Sequence, residues 1–233
     1  MMKIWEIYPA LAAVVGQDHI SFGMQGTGHD FDHALQAGQY ALLIAEDQTV
    51  GRLAGAGGLC HNADRMVQHQ LGSKKNIPEE RVVAMVRGWL EASGEGFGEN
   101  DSTRIVNAVL HHHEVNKPDD DSVLVALKDA DRITCTTADN VMTSAQFWSE
   151  LPAIDPRWLA HDPSAHSYRN PKSVLKNLEC RYDWINPTSN VCVRLPKAKA
   201  LMERRVAFIK RYIEEVEAQR EEAGLWPDYP YNN

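Results

Sequence analysis

The chain has 233 residues, 43% of them hydrophobic and 24% charged, which suits one large domain or two small ones with an ordinary core. Its 24 Lys and Arg against 32 Asp and Glu give a net charge of −8 with neutral histidines. That balance excludes broad binding to nucleic acid or to an anionic membrane surface and leaves only a local basic pocket open. No apolar run approaches the roughly 18–20 residues of a membrane span. Ala10 to Gly16 is a short apolar patch preceded by Glu6 and Pro9, and it does not read as a secretory signal. Cys60, Cys135, Cys180 and Cys192 form no C-x-x-C pair, so reduced thiols in a cytoplasmic protein are expected. Ten histidines stand out, seven of them between His29 and His113.

Helical periodicity dominates. Phe31, Leu35, Gly38, Leu42 and Ala45 step by four and three, with Ala37, Tyr40 and Ile44 on a second face, so this helix is expected to be buried on most sides. Thr27, Gly28 and Asp30 supply start signals ahead of it. Leu53 to Cys60 contains only small and apolar residues. Gly55, Gly57 and Gly58 there each cost about 1 kcal/mol against Ala in a helix, so close packing on a neighbour must offset them. Pro78 with Glu79 and Glu80 opens a third helix through Leu90, and Gly94 to Gly98 breaks the chain. A fourth helix is expected from about Ser102 to His113 and a fifth from Asp121 to the Thr134 region.

Residues 150–172 carry Pro152, Pro156, Pro163 and Pro171 with few periodic apolar positions, and read as a long surface excursion. A short helix follows Pro171. A long one spans about Pro196 to Ala223 with Met202, Val206, Ile209, Ile213 and Val216 in one stripe. Val191 to Val193 is the only β-leaning segment. The expected class is all-α: a single domain over 1–223, with a core at about 28–146, the insertion at about 150–172 and closing helices at about 172–223. A loose tail is expected over 224–233.

The chemistry lies where polar residues interrupt apolar stripes. Ile105, Val109 and His112 are spaced four and three, as are Val106, Leu110 and His113, so both histidines continue an apolar face. Leu124, Leu127 and Asp131 place a carboxylate on a core-facing stripe, which is costly unless it is paired or binds a metal. His61 ends the small-residue helix, and His33 lies on the first. Four helices thus each send an imidazole or carboxylate inward, and that donor combination suits Zn, Mn, Fe or Ni. The alternatives remain open at this point. A single buried histidine is commonly a hydrogen-bonded core residue, Asp131 could pair with Arg132 or Arg65, and His111 to His113 could be a solvated helix end. His29, at i−4 from His33, reads as facing the metal surroundings or the substrate. His19, His69, His161 and His166 read as structural.

These residues resemble the HD-domain superfamily of metal-dependent phosphohydrolases, whose pattern is a lone His, then a His-Asp pair, then a distant Asp. Gly28 to His33 is similar to the opening helix, with His33 as ligand. Leu59-Cys60-His61-Asn62 falls where the pair belongs, and Asp129-Ala130-Asp131-Arg132 is similar to the last element, with Asp131 as ligand and Asp129 supporting it. His112-His113-Glu114 resembles the extra His-His-Glu of many members. The run from Arg194 through Glu203-Arg204-Arg205 to Phe208 resembles a closing helix. The resemblance covers about 28–146 and 171–220, and it implies an HD-like helical bundle. It departs at position 62, where the family has Asp. Asn offers one neutral carbonyl oxygen, so one metal ion is expected rather than two, and Asp64 could restore a carboxylate if the chain turns after His61.

The resemblance therefore implies phosphoester hydrolysis, most readily of a nucleotide. One divalent transition metal (Mn, Fe, Ni, Co or Zn) would be held by His33, His61, Asn62 and Asp131. His112, His113 and Asp64 are the candidate catalytic groups, and Arg65, Lys128, Arg132 and His29 the candidate substrate contacts. The alternative is a degenerate scaffold that binds metal, nucleotide or phosphate without turnover. Iron oxygenase chemistry is disfavoured by the loss of a bridging Asp. Trp148, Trp158 and Trp184 flank the insertion and read as packing residues or a lid. Substrate identity and oligomeric state are left open.

Overall fold

The computed structural model describes residues 2–72, 77–162, 167 and 169–227. Among them there is no strand. The helices in chain order are α1 (Ile4–Ile7), α2 (Pro9–Ser21), α3 (Phe31–Ile44), α4 (Gln48–Cys60), α5 (Ala63–Leu71), α6 (Glu79–Ser93), α7 (Glu99–His111), α8 (Ser122–Thr134), α9 (Asn140–Phe147), α10 (Val174–Glu179) and α11 (Pro196–Glu222). The all-α expectation holds, and Val191 to Val193 contributes no strand. None of these helices is long and apolar enough to cross a membrane.

The sequence reading has no helix over α1, α2, α5 or α9. In α2, Pro9 occupies the first turn, where its missing N–H is not needed, and Leu11, Ala12, Val15, Gly16 and His19 turn inward. The apolar patch at Ala10 to Gly16 is therefore a core helix.

The centre of the fold is the contact between α3 and α4. The expected stripe of α3 is only partly right: Phe31, Leu35 and Leu42 stay half-buried, while Ala34, Ala37, Gly38, Ala41 and Ile44 go fully inside. The small residues win that face because α4 approaches them to backbone contact. A Cβ on Gly58 would lie 2.4 Å from Gly38 N and 2.5 Å from Gly38 Cα, and one on Gly38 would lie 2.8 Å from Gly55 O. The glycines thus trade helix propensity for proximity. That proximity brings His33 and His61 onto neighbouring ends of two helices.

Helix α8 packs across both α3 and α4 and carries two acidic residues with different tasks. Asp129 Oδ2 accepts the N–H groups of Arg194 and Leu195, both at 2.7 Å, and so satisfies donors at the start of α11. Asp129 and Asp131 are two residues apart, hence about 200° apart around the helix. The expected support of Asp131 by Asp129 gives way to this anchoring role.

Residues 150–172 are not wholly a surface excursion. Leu159 is buried with Leu175, Leu178, Ile209 and Ile213. The fully buried Lys176 ammonium donates to Leu159 O, Ala160 O and Glu179 Oε1 at 3.2, 2.9 and 2.7 Å. Trp226 packs on the same small cluster. Pro163, His166 and residues 228–233 lie outside the described residues.

Candidate metal centre

Three side chains from three helices converge. His33 sits in the first turn of α3, whose start is capped by Asp30 accepting the His33 N–H at 3.1 Å. His61 is the residue that closes α4, and Asp131 lies in the last turn of α8. His33 Nε2 is 3.4 Å and His61 Nε2 is 3.6 Å from Asp131 Oδ1, and one ligand atom from each residue lies within 4.8 Å of the others. Ligands at about 2.0–2.1 Å from one ion would be about 3.0–3.4 Å apart, so the observed spacing is close to what such an ion needs. Asp131 faces these imidazoles, which answers the open question of its partner.

The tautomers follow from the helix ends. The last carbonyls of a helix lack intrahelical donors. His61 uses one: its Nδ1–H donates to Gly58 O at 2.6 Å, because a carbonyl can only accept. His112 does the same to Val109 O at 2.7 Å. In each ring Nε2 is left as the lone-pair nitrogen. His61 Nε2 is buried and has no hydrogen-bond partner among the described residues. Such an orphaned acceptor is costly, and a divalent cation would satisfy it. Burial, reinforced by His33, pushes the His61 pKa down to about 3, so the ring is neutral as a ligand must be. For Asp131 burial opposes ionisation, but the His33 hydrogen bond and the electrostatic influence of the surrounding imidazoles hold its carboxyl far below the usual range.

The other expected site residues divide. Asn62 is fully buried beside His61. The chain does turn after His61, and Asp64 in the first turn of α5 lines the same cavity of about 20 Å³ as His33, His61, Asn62 and Asp131. That cavity has room for about one or two water-sized spheres. His112 is buried behind the cluster, its ring centroid 5.4 Å from that of His61, while His113 is exposed and faces the opening. The expectation that both continue the apolar face is thus corrected for His113, because α7 ends at His111 and the helical spacing stops there. The His29 ring meets His33 and Phe147 edge-on, with ring centroids 5.4 and 4.8 Å apart. Arg65 reaches the same opening, with its guanidinium 5.9 Å from the Phe147 ring.

Lys128 is not brought to the cluster. Its ammonium is buried against Asp120 Oδ2 at 2.8 Å and Val115 O at 3.0 Å. Arg132 donates to Asn116 Oδ1 at 2.8 Å and lines a second cavity, of about 350 Å³, beside Asp131.

The main cleft, of about 600 Å³, adjoins the cluster at His33. Its walls include residues that the sequence reading passes over: Phe147 on α9, Arg169 in the insertion and Arg181 after α10. Trp148 lines it too, while Trp184 is core. Gly28 makes the wall fit. Its φ of +79° suits glycine, and a Cβ there would lie 2.9 Å from Thr143 O and 3.1 Å from Phe147 Cβ. That close approach was legible as a glycine before a helix, but not what it approached. His19 was also passed over as structural; its Nε2 lies 3.1 Å from Asn62 Nδ2.

No family model matches the chain, and no curated protein matches it by sequence. Similar solved structures include a structural-genomics target from Lactobacillus plantarum, 18% identical, with a TM-score of 0.67 over 93% of this chain and 97% of that one. They also include Bacillus subtilis YpgQ in complex with ADP, 17% identical, with a TM-score of 0.55 over 88% of this chain and 97% of that one. Such identities speak to the fold alone. That fold is all-α with a long C-terminal helix, as the sequence reading expects.

Proposed function

We propose that the protein is a metal-dependent phosphohydrolase acting on a nucleotide or another small phosphoester. One observation carries this reading: a His33–His61–Asp131 cluster, with a buried and orphaned His61 Nε2, adjoins through His33 a cleft walled by cations and aromatic rings. The ADP bound by the similarly folded YpgQ supports a nucleotide as the ligand class. His33, His61 and Asp131 would hold one divalent transition metal. When bound, such an ion lowers the pKa of a water and polarises a phosphoryl oxygen.

The chain's own residues supply the rest. Arg65 and Arg169 line the cleft and match phosphate oxygens in charge and in fork geometry, while Arg181, buried and donating to Cys135 O, Asn177 O and Asn140 Oδ1, shapes the wall. Phe147 and Trp148 offer ring faces to a base. His113 stands at the opening and can deliver a proton to a leaving oxygen, and His112 and Asp64 flank the same small cavity. Lys128 takes no part, and Arg132 serves only the side cavity. The test is elemental analysis of the purified protein together with phosphate release from a nucleotide panel, with and without added Mn2+. Stoichiometric metal and metal-stimulated release are expected. Absence of metal after supplemented expression, with none regained on titration, refutes the reading.

A second reading is favoured by Asn62: a scaffold that binds nucleotide without turnover. It predicts saturable nucleotide binding to the metal-loaded protein and no phosphate release from any nucleotide tested.

A further inference from the structure

Asn62 is 0% exposed, and its surroundings distinguish its two polar atoms. Nδ2 lies 3.1 Å from His19 Nε2, 3.1 Å from His29 O and 3.2 Å from Asp30 O. Oδ1 is buried with no hydrogen-bond partner among the described residues, and the residue lines the small cavity shared by His33, His61 and Asp131. The three neighbours of Nδ2 are all acceptors. Two are carbonyls. The third is an acceptor because His19 Nδ1 lies 2.9 Å from Val15 O and must donate to it, which leaves Nε2 with a lone pair in the neutral ring. An oxygen placed where Nδ2 sits would meet three lone pairs and no proton.

We infer that position 62 is built for a carboxamide, whose nitrogen is fixed by His19 and the carbonyls of residues 29 and 30 and whose oxygen is a neutral donor to the His33–His61–Asp131 cluster. The donor role rests on the proposed metal site; the amide requirement does not. His19 is thereby a positioning residue, reaching the centre from α2 through Asn62. The consequence is electrostatic. Two neutral imidazoles, one carboxylate and one amide around a divalent ion leave a single positive charge, whereas a second carboxylate would cancel it. Asp64 and Arg65 on the same cavity pair with each other at 3.6 Å and offset in charge, so in a chain of net charge −8 that residual charge favours an anionic substrate at this spot.

The test compares metal-stripped wild type, Asn62→Asp, His19→Leu and His19→Gln by urea unfolding and by titration with Mn2+ alone. Asn62→Asp is expected to unfold at lower urea and to bind Mn2+ no tighter than wild type, although a carboxylate by itself would bind it more tightly. His19→Leu is expected to weaken Mn2+ binding by roughly tenfold, the usual loss when a ligand's hydrogen-bond partner is removed, and His19→Gln, which keeps an acceptor, to recover most of it. An Asn62→Asp variant with an unchanged urea midpoint and tighter Mn2+ binding overturns the amide requirement. A folded His19→Leu variant with wild-type Mn2+ affinity overturns the role of His19. If wild type itself binds no Mn2+, the metal site fails, and the urea midpoint of Asn62→Asp still decides whether the position demands an amide.

Discussion

Replacing Gly58 by Ala tests the contact on which the whole centre depends. The added Cβ would sit 2.4 Å from Gly38 N, 2.5 Å from Gly38 Cα and 2.8 Å from Ala37 C. All three are backbone atoms that no rotamer change can move. To reach ordinary contact the two helices must part by about 1 Å, where carbon atoms settle at about 3.5–4.0 Å. Overpacking of this kind costs about 1–3 kcal/mol, and the rigid partner puts Gly58→Ala at the upper end, against at most about 1 kcal/mol returned by the better helix former. His33 lies five residues before Gly38 and His61 three residues after Gly58, so the same displacement opens the ligand cluster. Gly57 provides the internal control. Its added Cβ would lie 3.4 Å from Leu127 Cδ2, the tip of a flexible side chain, so Gly57→Ala should be neutral or stabilising. Urea unfolding of both variants reads the stability, and Mn2+ titration reads the cluster. A Gly58→Ala protein as stable as Gly57→Ala, with unweakened metal binding, would refute the backbone contact as the device that positions the ligands.

Asp129→Ala should lose about 1.5–3 kcal/mol, because two N–H groups at the start of α11 lose a charged acceptor; its metal stoichiometry should stay that of wild type, and loss of metal without loss of stability would return Asp129 to the centre. Arg65→Ala should raise KM for a nucleotide by about tenfold or more, the worth of a charge-assisted hydrogen bond. Lys128→Ala should leave KM alone but destabilise the fold, since the Asp120 side chain is only 3% exposed and would lose one of its two cationic partners, keeping Arg194 at 2.8 Å; steady-state kinetics that reverse this order would refute the assignment of the two cations. The metal-free protein should also lose stability on acidification. His61 has a folded pKa of about 3, pushed down by burial and then by His33, against about 6.5 in the unfolded chain. The unfolded state therefore binds the proton first, and stability falls as pH drops from 6.5 toward 3, with no contribution from this group above 6.5. Thermal scans across that range should show the fall, and His61→Asn should flatten it; an equally steep fall in the variant would assign it to other groups.

What could be read from residues alone was whatever helical spacing carries. His61, His112 and Asp131 were legible because each falls on the line of apolar residues that faces the core, and the glycines of α4 because their cost demands a close neighbour. Spacing said nothing about which neighbour, or that the innermost face of α3 is its small residues and not Phe31, Leu35 and Leu42. It also overran the end of α7. His112 and His113 follow the stripes only while the helix lasts, and the helix stops at His111, so one ring turns in and the other turns to the cleft. Phe147, Arg169 and Arg181 come from a short helix and irregular segments whose positions are set by tertiary contacts, and no local pattern marks them.

Position 62 shows why a departure from a pattern cannot be judged from the pattern. Read alone, Asn in place of Asp is the loss of a charge and of a bridging ligand. In the fold, the relevant fact is the company of Nδ2: a histidine nitrogen from α2 and two carbonyls from the loop before α3, none of which donates a proton to an oxygen while the His19 ring is neutral. These partners lie 43, 33 and 32 residues away in the chain. One of them, His19, belongs to a helix that the sequence reading does not mark, and it reads there as structural. His19, His61 and His112 all give Nδ1–H to a carbonyl three or four residues earlier, which leaves each Nε2 as an acceptor. Two of those nitrogens face the cluster's surroundings and one faces Asn62. The same local device thus prepares both a candidate ligand and the partner that demands an amide, and a carboxylate at 62 would be the misfit.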